Sequence, residues 1–420
     1  MKKLLILGAN HETVPLVQCA TQLGIEVYVA DPNVDAPAKA FAQHAVNIDA
    51  TNVEMLYRFA LDNKIDAVMV GVAHRLIASY SKLCQKLEFC AYCRPDVAQI
   101  WSNKALSNDL LDQCGIRSIP SIVVSKPEKD LSIPFEYPCL IKPTDGSAGK
   151  GITIAYKASD LLGGIDKALA ASHERCALVE KYMTGDDLFV YCSLFSGELS
   201  IVATADRFTT ALGSDKSKVC FAARYPSRHQ KELVQNYQIK LAMACDKSGL
   251  DNGVLMLSAF VEAGNFYFYD PGIRLQGEAP DVHVLNETGK DHKKALIDLA
   301  FSNLTSEVDL FPDGVIYTDN DFGTTLWILI SSGEISQITG IENIKNHPNV
   351  FETRQRFNEG DLVKADTIGT EGQVFLRIYA KLSSNAELLG LIEIIRQQVH
   401  VLDIYGKEMI VDVPYEELLT

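Results

Sequence analysis

Residues 139–152 read CLIKPTDGSAGKGI, a short apolar run that ends in a lysine and opens into a glycine-rich loop. Cys139, Leu140 and Ile141 predict a strand, which sets Lys142 at its end, beside Gly146, Ser147, Gly149, Lys150 and Gly151. Small residues let several backbone N–H groups converge on one anion, and a lysine adds a full charge. A polyphosphate is the guest such a loop suits. The principal lysine precedes the glycines, so the spacing is not that of the GxxxxGK[ST] loop. Taken alone, an ordinary strand-to-loop turn that happens to carry a lysine accounts for the segment equally well.

Upstream, strand and helix patterns alternate. KLLILGA predicts a buried strand, VPLVQCATQLG a helix ending at Gly24, IEVYVAD a second strand, VEMLYRFALDNK a second helix and DAVMVG a third strand. Such alternation implies a parallel sheet with helices on both faces, a Rossmann-like unit over residues 1–100. The first turn carries Gly8, Asn10 and Thr13 where a dinucleotide fingerprint would have glycines, and Asp31 alone does not restore it. That turn, with His11, Glu12, His74 and Arg75, is a candidate substrate edge, although solvated loop residues are the simpler reading of each.

Composition narrows the classes. The chain has 420 residues, 47% hydrophobic, enough for about three units of ~100–200 residues. Its formal charge of −15 argues against a partner bound through its phosphate backbone, such as nucleic acid. No apolar stretch reaches the ~18 residues of a membrane helix, and MKKLLILGAN leads into a strand and turn rather than a cleavage site. We therefore expect a soluble, cytoplasmic protein. Ten cysteines are scattered, several within apolar runs, and Cys90 and Cys93 form one CxxC without a second pair or a histidine cluster.

Downstream, NKALSNDLLDQCG predicts a helix, IPSIVV a strand, residues 159–172 a helix and ALVEKYM a strand running into a linker. LFVYCSLFSGELSIVATA predicts a hairpin turning at Ser196 and Gly197, followed by a helix over 231–248. The next hairpin is VLMLSAFVEAGNFYFYDPGIRL. A three-residue loop of Ala263, Gly264 and Asn265 would pair Glu262 with Phe266 and set Ser258 opposite Asp270, within reach of one ion. Arg274 follows four residues later; a structural ion pair at a strand end is the plain alternative. From about residue 312 the chain turns β-rich with one strong helix near residues 386–399, which predicts a separate α+β unit.

In this order the pieces resemble the ATP-grasp superfamily: NK on a helix, IKP with a glycine-rich lid, VEKYM, GDD and a hairpin closing in DPGIRL. The resemblance covers residues 1 to about 300. It implies α/β and α+β architecture: a Rossmann-like first domain, an ATP-grasp domain over 101–310 with a lid subdomain at about 120–183, and a small α+β C-terminal domain over 311–420. Lys104 and Lys142 match the phosphate-binding lysines. Glu180, Lys181, Tyr182 and Met183 match the adenine hinge, and Asp187 the ribose acid. Asp270 occupies the place of a magnesium ligand. Arg274 matches the arginine that steadies the transferred phosphate. Where the family commonly has a second metal acid and an Asn, this chain has Ser258 and Gly272.

The tail looks like that of L-amino-acid ligases and related carboxylate-amine ligases. The activity implied is ATP- and magnesium-dependent joining of a carboxylate to an amine through an acyl phosphate, with Gln276 and Glu278 orienting substrate or accepting a proton. Arg207, Arg224 and Arg228 are candidates for holding a substrate carboxylate, with plain surface charges the equal alternative. Bicarbonate-using carboxylation or carbamoyl formation is the alternative, and weakly catalytic ATP binding a third. The partners expected are small-molecule carboxylates and amines, and a second copy of the chain in a homodimer.

Overall fold

The structure, a computed structural model, describes residues 1–128, 131–146, 151–212, 217–302, 314–317 and 321–419. Three sheets position the site. The first is four-stranded and parallel, in the order His44–Val46, Glu26–Ala30, Lys3–Leu7, Ala67–Val70. The expected α/β pattern is present, with one short strand, His44–Val46, that its sequence does not mark. Leu4 to Leu7 are fully buried because helices cover both faces. The order reverses between Lys3–Leu7 and Ala67–Val70, and ligands of open α/β sheets bind in the crevice at such a point. The two turns beside that crevice are stitched together: Asn10 donates to the Val72 carbonyl at 2.7 Å and the Val72 N–H to Thr13 Oγ1 at 3.0 Å.

The second sheet is antiparallel, ordered Ser121–Val124, Ala177–Lys181, Cys139–Pro143, Thr153–Ala155. Cys139, Ile141 and Val179 alternate inward onto the helix Ala158–Ala171 and form a small core of their own. The opposite face carries Lys142 and Glu180, since Lys142 pairs with Leu178 and Leu140 with Glu180.

The third sheet has eight strands, from the hairpin Gly253–Glu262 and Asn265–Gly272 at one edge to Val350–Gln355 at the other. The expected α+β C-terminal region contributes strands to this same sheet. Phe322–Leu329 pairs with Ser217–Tyr225, and Val374–Leu382 and Val350–Gln355 extend the same sheet. A β-rich sequence marks strands, but it does not mark which sheet edge they join.

The hairpin register is also corrected. Its loop has two residues, Ala263 and Gly264, both left-handed at φ 49° and 73°, so Glu262 pairs with Asn265 and Ser258 faces Tyr269 rather than Asp270. Two left-handed residues match the twist of the flanking strands, which favours the tighter turn. Between Ser258 and Met256 the register slips, and Asp270 sits in the slip at φ 45°. A non-glycine residue in that conformation is a bulge that re-aims its side chain.

Candidate active site

Asp270 is aimed at the lid sheet. Its Oδ1 lies 3.2 Å from Lys142 Nζ and 3.9 Å from Lys104 Nζ, while Glu180 meets Lys142 at 2.9 Å from the other side. Burial would raise the Asp270 carboxyl, but the two lysines overcome it and hold it well below the usual carboxylate range. Lys142 is buried too, yet Asp270 and Glu180 keep it charged. Lys104 is lowered by burial, with Asp270 opposing. It begins a helix, Lys104–Gln113, whose N-cap Asn103 accepts from the N–H groups of Ala105 and Leu106. Its Nζ donates to the Gly146 carbonyl at 2.7 Å, tying helix to lid. Asp270 keeps 46% of its side-chain surface open, so an incoming group can reach it.

The glycine loop is described only at its ends. At Gly146 a Cβ would come within 2.9 Å of Pro143, and at Gly151, left-handed at φ 78°, within 2.7 Å of Ala171, so both positions require glycine. Ser147, Gly149 and Lys150 lie outside the described residues. Beyond Glu180, Lys181 pairs with Glu262, Tyr182 lies under Lys218 with Nζ 5.2 Å from the ring centre, and Met183 is buried. The hinge then touches the hairpin: a Cβ at Gly185 would stand 1.9 Å from the Val261 carbonyl oxygen.

Asp187 accepts from Arg207 Nη2 at 2.8 Å and from the Tyr269 hydroxyl at 3.0 Å, and Arg207 Nη1 reaches Glu278 Oε1 at 2.8 Å. Arg274 differs. Its Nη1 donates to the Leu275 carbonyl at 2.6 Å and Gln276 Oε1 at 3.1 Å, its Nε is buried without a partner, and no carboxylate among the described residues forms an ion pair with it. Burial pulls its guanidinium down to about 10, with Glu371 and Glu12 opposing. Gln276 is a clamp within the loop: its Nε2 donates to the carbonyls of Gly272 at 2.9 Å and Arg274 at 2.6 Å. A Cβ at Gly272 would fall 2.6 Å from that nitrogen, so the Gln276 amide fills the space a side chain there would take.

Ser258 is 4% exposed, and with the register corrected the argument that set it across from Asp270 falls. No group of three or more His, Cys, Asp or Glu suited to a metal occurs among the described residues. Magnesium is commonly held by one or two carboxylates together with phosphate oxygens and water. The half-open Asp270 fits that donor set as the protein's share.

Glu12 and His74, named as edge candidates, and Arg377, which was not named, have packing that their local sequence does not mark. Glu12 is no solvated loop acid: 11% of its side chain is exposed, and it is bound by Arg356 and, at 3.5 Å, by Arg377. Arg377 also donates to the Gly277 carbonyl at 2.7 Å. His74 stands near Arg274, Lys104 and Asp270; burial first, then the two cations, push it down to about 3, leaving a neutral imidazole. Periodicity alone could not find these residues, because each becomes a neighbour of the site only through the sheet order. Of the three arginines expected at the substrate, only Arg207 reaches this site. Arg224 stacks on Phe322 at 4.0 Å and donates to Asn385, and Arg228 pairs with Asp206 at 2.9 Å.

Residues 1–96 match the ribonucleotide synthetase preATP-grasp domain, and residues 103–188 the ATP-binding domain of the carbamoyl-phosphate synthase L chain. The biotin carboxylase of Pseudomonas aeruginosa is 23% identical over 71% of this chain and 70% of its own length. The methylcrotonoyl-CoA carboxylase subunit alpha of Arabidopsis thaliana is 22% identical over 67% of this chain, and the match covers 41% of that protein. Among solved structures, the L-amino acid ligase of Bacillus licheniformis aligns with a TM-score of 0.77 at 15% identity, over 96% of this chain and 99% of that one. The biotin carboxylase domain of the Hydrogenobacter thermophilus 2-oxoglutarate carboxylase aligns at 0.76 and 16% identity, over 98% and 91%. The two family matches stand in tandem, and with an architecture shared over nearly the whole chain they give this protein the fold and the domain order of ATP-grasp proteins.

Proposed function

We propose that the protein joins a carboxylate to an amine, an amino acid among the pair, at the expense of ATP and through an acyl phosphate, releasing ADP and phosphate. The observation that carries this reading is the meeting of buried Lys142 and mostly covered Lys104 with Asp270 from the facing sheet, beside an arginine that forms no ion pair among the described residues. Lys104 and Lys142 bind the phosphate chain, the hinge from Glu180 to Met183 takes the adenine, and Asp187 takes the ribose. Bound magnesium would supply charge neutralisation at the phosphates, with Asp270 as its protein ligand. A resting carboxylate resists an amine because of its own negative charge, and an acyl phosphate does not. Phosphoryl transfer depends on positioning and neutralised charge. Arg274 supplies the latter at the oxygen that receives the phosphate. Glu278, raised by burial against the pull of Arg207, is the base for the amine.

Bicarbonate is the second reading, favoured by the match to biotin carboxylase over 71% of the chain. Phosphate release from ATP and magnesium decides between them. Dependence on an added amino acid supports the ligase, dependence on bicarbonate alone supports carboxylation, and tight ATP binding with neither removes both.

A further inference from the structure

Arg207 holds together two acids from different parts of the site. It lies on Glu198–Leu212, directly opposite Asp187 in the register, and only 10% of its side chain is exposed. Nη2 contacts Asp187 at 2.8 Å and the Tyr269 hydroxyl at 2.7 Å, while Nη1 contacts Glu278 at 2.8 Å. Two carboxylates thus share one guanidinium, leaving an excess negative charge in a buried place. Glu278 Oε2 is buried and has no hydrogen-bond partner among the described residues. Buried carboxylates are ordinarily satisfied on both oxygens, so the free one is a place for a donor that arrives with the ligand.

We propose that Arg207 is a positioning residue: it fixes Glu278 with Oε2 free to receive a protonated amine, and ties that acid to the one that meets the ribose. This rests on the ligase reading above. In the step it serves, an N–H bond of the docked ammonium breaks and the proton goes to Oε2. The freed nitrogen lone pair then forms the C–N bond as the acyl carbon–oxygen bond breaks, and the departing phosphate takes the second proton from the nitrogen and leaves as hydrogen phosphate. Fixing Glu278 by one guanidinium nitrogen spares its second oxygen for this exchange. Because Asp187 draws on the same cation, ribose contacts there leave Arg207 more fully to Glu278.

The charged and titratable groups around Glu278 are Arg207, which lowers its carboxyl, Glu371 and Asp187, which raise it, and the neutral Tyr225 and Cys220. Burial is the largest influence and raises it. Removing the Arg207 charge therefore raises Glu278 further, and the acid limb of the rate moves to higher pH.

The test is the pH profile of kcat/KM for the amine, read from amino-acid-dependent phosphate release, beside ATP affinity by equilibrium dialysis. In Arg207→Met the acid limb is expected to shift upward by about 1–3 pH units, and Arg207→Lys should return it towards the wild-type position. A structural arginine would lower kcat equally at every pH and leave the limb in place, and that result overturns the inference. If Arg207→Met does not fold, Glu278→Gln answers instead: the acid limb should vanish, and a limb that survives overturns the inference. ATP binding without amine-dependent release in the wild type removes the ligase reading itself. Release with an unmoved limb removes only the role of Arg207.

Discussion

On the nucleotide side, each charged group stands in a local pattern: Lys142 ends a strand before glycines, Lys104 follows a helix cap, and Glu180 precedes a linker. On the acceptor side, Glu12, Arg207, Arg356 and Arg377 come from a turn, two central strands and the segment after an edge strand, and the Glu12–Arg356 contact spans 344 positions. In the first set two lysines are drawn to one half-open acid, and Glu180 meets Lys142 from the other side. The second is packed at a seam where the parallel sheet, the hairpin loop and the tail strands meet, and its charges are mostly spent on one another. The difference teaches that charged groups carried on single elements leave a local trace in the sequence, whereas groups brought together by the docking of several elements do not.

The largest effect expected on the nucleotide side is from Asp270→Asn, which keeps the shape and removes the charge between the lysines. Cation-dependent turnover should fall by about 10²–10³-fold, with the far-ultraviolet spectrum unchanged. Turnover within about twofold of wild type would end the metal assignment. Arg274→Ala sits on the border of the two regions. It should lower kcat by roughly 10²-fold while ATP affinity moves by less than about threefold, because its charge counts most as the phosphate moves. Loss of affinity alone would reassign it to ground-state binding.

The smallest effect on turnover belongs to Glu12→Gln, whose consequence is in stability. It leaves two arginines without their shared acid, and breaking a buried pair in this way costs about 3 kcal/mol, to be read by urea unfolding. Burial acts to raise the Glu12 carboxyl, but Arg356 and Arg377 outweigh it and the net shift is downward from 4.5. The stabilisation is therefore complete above about pH 4.5 and is lost as pH falls through the lower folded value. Unfolding curves of wild type and Glu12→Gln should converge in acid. Parallel curves at every pH would show that the tie contributes nothing.

The parallel sheet, the strand carrying Lys142, the helix that Lys104 begins and the strand running into the linker at Lys181 were legible because period, turn residues and spacing are local. The hairpin register was not. Alanine seldom adopts positive φ, so Ala263 and Gly264 do not advertise a two-residue turn, and one residue of slip changes which side chains share a face. Asp270 could be singled out as an unusual charge, but not its left-handed backbone, which decides where the carboxylate points. Glu12 was named as a candidate but read more simply as solvated, and Arg377 was not named at all, for a different reason. A lone charged residue reads as solvated until the packing that buries it is known.

The pairing of Phe322–Leu329 with Ser217–Tyr225 has a consequence for anyone who would trim or exchange the tail. The tail closes one flank of the long sheet and carries the guanidinium that grips the Gly277 carbonyl. Excision would bare a row of unpaired backbone groups and loosen the substrate loop in one stroke. A graft from a relative would have to restore both that strand pairing and the grip on the Gly277 carbonyl.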